Sequence, residues 1–102
     1  MAVYVVIKPN GTRDSYIEPS GKFSLRRARE LIGEGCTVAE RIRVRYGGKV
    51  RDCWLDEEGL LRARREFNKQ VKLYAEAYYD KTCQEFVGNG VIWIPGDTSV
   101  IV

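Results

Sequence analysis

The chain has 102 residues, of which 44% are hydrophobic and 11% aromatic. That is enough apolar material for one packed core and too short a chain for two, which sets aside a disordered or multidomain layout. Lys and Arg number 17 against 14 Asp and Glu, a formal +3, and the pI of 8.8 falls just short of the ~9 typical of a dedicated nucleic-acid binder. Histidine is absent, which removes the commonest general base, cysteine and serine activator and zinc ligand, and most hydrolytic schemes with them.

The apolar run from Ala2 to Ile7 has no basic flank and is shorter than the ~7 to 15 residues of a signal-peptide core. No run approaches the ~18 apolar residues of a membrane helix, so a cytoplasmic protein without membrane contact is expected. "VYVVIK" (3–8) is rich in β-branched and aromatic residues and ends at the turn formers "PNGT", after which "RDSYIE" returns as a hairpin partner. From Ser24, a predicted N-cap, Leu25, Ala28, Leu31 and Ile32 recur at helical spacing, and Gly33 or Gly35 offers a stop. Arg26, Arg27 and Arg29 of this helix project mostly to solvent.

"TVAERIRVRY-GG-KVRDCWLD" reads as two strands around a two-residue turn, because paired glycines tolerate the positive φ that tight hairpins demand. Counting outward from Gly47 and Gly48 sets Tyr46 opposite Lys49, Arg45 opposite Val50, Arg43 opposite Asp52 and Arg41 opposite Trp54. Opposed residues share a face. The other face, with Ile42 beside Cys53, Val44 beside Arg51 and Leu55 beside Glu40, is the expected core. Arg43 thus gains a cross-strand carboxylate and Arg41 a cation–π contact with Trp54, each worth ~0.5 to 1 kcal/mol. Arg45 is left as the freest of the three.

The next region has two readings. Either "LDEEG" closes a hairpin, Leu60 to Ala63 is a strand and Asn68 caps a helix to about Tyr79, or Asp56 caps one helix over 57–79, whose Gly59 would cost ~1 kcal/mol. "CQEFVG-NG-VIWI" carries an Asn-Gly pair between strand-like runs and predicts another hairpin. Pro95 and Gly96 suit the centre of a type II turn, and "SVIV" is a last strand.

"LDEEGLL" (55–61), "FNKQVKLY" (67–74) and "EFVGNGVIWI" (85–94), in that order after a β-rich stretch, resemble an uncharacterised family, domain of unknown function 3846, whose members are small proteins of bacteria, plasmids and phages. The matching positions are Asp56 and Gly59, then Asn68, then Val87 and Gly88, and the likeness covers the C-terminal half. It implies a compact α+β fold, a hairpin at "DEEG" rather than one long helix, and a phage or mobile-element setting. It carries no catalytic residue with it.

The candidate chemistry is sparse. Cys36, Cys53 and Cys83 are odd in number and widely separated, so they read as free thiols in a reducing compartment. "DEEG" reads as a turn whose carboxylates diverge instead of converging on a cation, and "GNG" as a hairpin turn, since phosphate loops need more glycines and a following helix. The arginine clusters remain, and guanidinium forks suit phosphates and carboxylates. The candidate partner- or anion-binding residues are Arg26, Arg27, Arg45, Arg62, Arg64 and Arg65.

The expectation is an α+β fold: one small domain over 1–102 with a mainly antiparallel or mixed sheet of about five to six strands and two helices. The expected role is that of a small, non-enzymatic phage or mobile-element protein that binds a macromolecular partner, a host protein. The alternative is an arginine-based binder of nucleic acid or of a phosphorylated small ligand such as a nucleotide. No cofactor or metal is expected. Unpaired strand edges and "SVIV" invite a homodimer.

Overall fold

The computed structural model describes residues 1–33, 35–61 and 66–96. Two hairpins and two helices precede the strand that joins them. β1 (Val3–Ile7) and β2 (Arg13–Ile17) pair antiparallel, α1 (Leu25–Ile32) follows, then β3 (Ala39–Tyr46) and β4 (Lys49–Asp56), then α2 (Lys69–Tyr79) and β5 (Gly90–Ile94). The sheet order is β2-β1-β5-β4-β3, with every pairing antiparallel. The class is α+β, as expected, with five strands among the described residues.

The local signals that hold are those with a steric cause close by in the chain. Ser24 caps α1 from an extended backbone (φ −123°), its Oγ accepting the Arg27 N–H at 3.2 Å, and Gly33 (φ 72°) ends the helix by donating to the Arg29 carbonyl. Gly47 and Gly48 both take positive φ, and the β3–β4 register runs from Tyr46↔Lys49 to Glu40↔Leu55 in the predicted alignment.

Each face of the sheet carries one helix. On one, α2 seals Val5, Ile7, Ile42, Val44, Cys53, Leu55 and Ile92 with Val71, Ala75 and Phe86. This is the core face predicted for the hairpin. The other face holds a second cluster that the hairpin alone did not reveal, in which Ala28 and Ile32 of α1 pack on Tyr4, Val6 and Val91.

Asn68 caps α2, which begins at Lys69, so the long helix over 57–79 is not formed. "DEEG" leads into a single 3-10 turn over Gly59–Leu61, not into a strand; the remainder of the predicted Leu60–Ala63 strand, 62–63, lies outside the described residues, as does "SVIV". A side chain at Gly59 would crowd Val87, with Cβ 3.2 Å from Val87 Cβ. Glycine here serves close packing.

The Asn89-Gly90 hairpin is also not formed. Gly90 is the first residue of β5 and pairs with Ile7, while 82–88 forms no strand and carries a single isolated β-bridge, Phe67↔Val87. Asn89 turns inward: its Nδ2 donates to the carbonyls of Leu31 and Ile32 at 3.3 and 3.4 Å, satisfying the end of α1. Gly96 has no positive φ, so the type II turn predicted with Pro95 is not made.

Cys53 is fully buried between Ile42 and Ile92, and burial pushes its thiol far above the ordinary range. Cys36 and Cys83 are half-buried and carry no disulfide. A thiol reagent is therefore expected to modify Cys36 and Cys83 in the native protein and Cys53 only after denaturation, as mass spectrometry of the labelled peptides would show. Early labelling of Cys53 would contradict the packing.

Candidate functional site

α1 shields only part of its face of the sheet. Toward the β3–β4 turn that face stays open, and period-two alternation lines Arg41, Arg43 and Arg45 along it on β3, opposite Trp54, Asp52 and Val50 on β4. Asp52 in turn pairs with Trp93 of β5. A shallow cleft of about 200 Å³ forms there, lined by Arg43, Val50, Arg51, Asp52, Trp93 and Pro95.

Asp52 holds two guanidinium groups at once. Arg43 Nε lies 3.6 Å and Arg41 Nη1 3.9 Å from its Oδ1. The predicted Arg43–Asp52 pair is present, but Arg41 uses the same carboxylate instead of Trp54. The reason is that Trp54 is already stacked on Phe23, with centroids 4.9 Å apart and an interplanar angle of 19°. Phe23 also meets Trp93 edge-on at 5.6 Å, and Trp93 meets Tyr4 at 4.8 Å. This aromatic file forms the floor beside the arginine row, and each contact is worth ~0.5 to 1.5 kcal/mol beyond its area.

Tyr4 ties the floor to the loop that carries Phe23. Its hydroxyl donates to Glu18 Oε1 at 3.3 Å and accepts the Ser24 N–H at 2.9 Å. Glu18 Oε2 meanwhile accepts from the Ser20 N–H and hydroxyl at 3.2 and 2.8 Å. These hydrogen bonds to Ser20 hold the Glu18 carboxyl below the usual range, and burial raises the Tyr4 phenol.

The predicted binding residues do not gather into one cluster. Arg45 is exposed and, among the described residues, has no charged or hydrogen-bonding partner. Arg26 and Arg27 both pair with Glu30, at 3.3 and 3.4 Å. Arg27 also leans over Tyr16 of β2, 5.6 Å from the ring centre and toward the sheet edge opposite β3. Arg29 Nη1 donates to the Thr37 carbonyl at 3.3 Å. Arg62, Arg64 and Arg65 lie outside the described residues.

As lining of this cleft, Trp93 and Pro95 escaped the sequence reading, which placed Val50 only as the partner of Arg45. "GVIWIP" does alternate, so Trp93 is legible as a strand residue, but its place beside Asp52 depends on β5 lying next to β4, a pairing of segments far apart in the chain. The charge is sorted by position too. A second shallow hollow, at the opposite end of β3 and β4, is lined by Glu40, Asp56, Glu57 and Glu85, while the arginine row sits toward the turn.

Among the described residues no three Cys, Asp or Glu side chains converge as a metal site would require, and no helix is long and apolar enough to cross a membrane. Comparison with family models, curated proteins and solved structures returned no match.

Proposed function

We propose that this protein is a non-enzymatic binding module whose open sheet face docks on a partner protein. What carries the reading is the row of Arg41, Arg43 and Arg45 beside Trp93, with Asp52 bracketed inside it. Arginine and tryptophan are the residue types that dominate protein–protein hot spots. A carboxylate in the middle of the row suits a protein surface of mixed charge better than a chain of phosphates, which Asp52 would repel. The resemblance in "LDEEGLL", "FNKQVKLY" and "EFVGNGVIWI" supports a phage or mobile-element setting, and in that setting the partner is a host protein.

Capture from a host lysate tests this when bait variants are compared. Arg45→Glu disturbs no internal pair and is expected to weaken retention of the partner about tenfold or more, with nuclease treatment making no difference. Lys69→Glu, the same charge change at an exposed position on α2, is expected to leave retention unchanged. Equal loss with both variants would point to unspecific charge attraction.

A second reading, an arginine-based binder of nucleic acid or a phosphorylated ligand such as a nucleotide, is favoured by Arg45, which has no internal carboxylate to satisfy it. It predicts an affinity whose logarithm falls steeply with the logarithm of salt concentration. A flat response removes it.

A further inference from the structure

The two outer edges of the sheet are not alike. On β3 the outward backbone groups belong to Arg41, Arg43 and Arg45, and the middle one is already taken: the Arg43 N–H donates to Tyr79 Oη at 3.2 Å. On β2 the bonds flanking the hairpin, Lys8 N–H to the Thr12 carbonyl and Glu18 N–H to the Ala2 carbonyl, set the even-numbered residues toward β1. Alternation then turns the N–H and C=O groups of Arg13, Ser15 and Ile17 outward. Among the described residues nothing bonds to them. Ile17 is also 60% exposed.

We propose that this edge is a strand-addition site and that its occupant is the β2 edge of a second copy, paired antiparallel about a two-fold axis at Ser15. In that register Arg13 faces the partner's Ile17, Asp14 faces the partner's Tyr16, and Ser15 faces the partner's Ser15. The three odd-numbered pairs each exchange two backbone bonds, about six in all. The charges fit as well, because no like-charged residues are opposed and a small residue sits on the axis, while the Arg13 guanidinium is held over its own sheet, its Nη1 donating to Tyr46 Oη at 3.2 Å. The neighbouring registers are worse. Centring on Asp14 opposes two carboxylates, centring on Arg13 opposes two guanidinium groups, and centring on Tyr16 or Ile17 forfeits backbone bonds. The contact is isologous and closes as a dimer with a continuous sheet, leaving the arginine face of each copy open.

Sedimentation across the micromolar to millimolar range tests it. The wild-type mass is expected to double with concentration, with the amides of Arg13, Ser15 and Ile17 becoming protected from hydrogen exchange in step. Ser15→Pro removes an outward N–H that the monomer does not use, so it is expected to keep the native circular dichroism and lose the dimer. Ser15→Lys and Ser15→Glu each oppose like charges on the axis and are expected to be monomeric alone, yet to form a mixed dimer when combined. A wild type that stays monomeric throughout overturns the proposal, as does a dimer that survives Ser15→Lys. Protection of the three amides in dilute monomer, which would mean the chain's own residues cover the edge, also overturns it.

Discussion

Replacing Asn68 by alanine is expected to destabilise the protein by about 3 to 5 kcal/mol, a large share of the ~5 to 15 kcal/mol that holds a domain of this kind together. Asn68 is 1% exposed, and its amide is fully used. Oδ1 accepts the Val71 N–H at 3.1 Å as the cap of α2, while Nδ2 donates to the Ile7 carbonyl and the Gly88 carbonyl, both at 2.9 Å. One side chain therefore joins the start of α2, the end of β1 and the approach to β5. Losing the cap costs about 1 kcal/mol, and each buried group left without a partner adds about 1 to 3 kcal/mol.

Aspartate makes the sharper test at the same position. At an ordinary N-cap Asp and Asn are near equals. Here a carboxylate keeps the bond to Val71 but brings unshared electron pairs against two carbonyl oxygens in a site without solvent, so Asn68→Asp is expected to be at least as damaging as alanine at neutral pH. Urea denaturation of the two variants beside wild type checks this. A mild effect for Asp would reduce Asn68 to a simple helix cap.

The second large effect is expected at Gly90. A Cβ built there would lie 2.6 Å from Val71 Cγ2 and 3.3 Å from Cys53 Sγ. Val71 is itself fully buried, so neither strand nor helix has room to withdraw. Gly90→Ala is expected to cost about 1 to 3 kcal/mol by overpacking, and Val71→Ala on its own about as much by leaving a cavity. The double variant is expected to be more stable than the sum of the two losses predicts, since each change relieves the fault of the other. Strict additivity in thermal or urea melts would show that the helix does not press on the strand at this point.

These two residues also mark where the chain was readable and where it was not. The β3–β4 hairpin was legible residue by residue, because a glycine pair sets the register and everything else follows by counting. Ser24 and Gly33 bounded α1 for similarly local reasons. At Asn89-Gly90 the same kind of rule failed. The pair looked like a turn, yet Asn89 caps α1 and Gly90 makes room for Val71, partners that lie far away along the chain. Asn68 was recognisable as a cap, but its bonds to Ile7 and Gly88 depend on strand order.

The candidate site divides in the same way. The Arg43–Asp52 pair and the solitary state of Arg45 could be read from alternation within one hairpin. The cleft with Trp93 could not, and neither could the loss of Trp54 to Phe23, which comes from a loop before α1. Arg26 and Arg27 were correctly placed on a helix surface, but no local pattern told that Glu30 would hold both, or that Tyr16 would draw Arg27 away from the β3 side.

β5 stands between two units that each close on their own, with Ile7 and Val3 on one flank and Asp52, Cys53 and Trp54 on the other. During synthesis the earlier hairpins can zip as they emerge, but they remain strangers until Gly90–Ile94 has left the ribosome and slides in as the wedge that welds them. A nascent chain halted before Gly90 exposes two raw seams at once, along β1 and along β4, which makes the late strand a gate on whether any of the molecule matures.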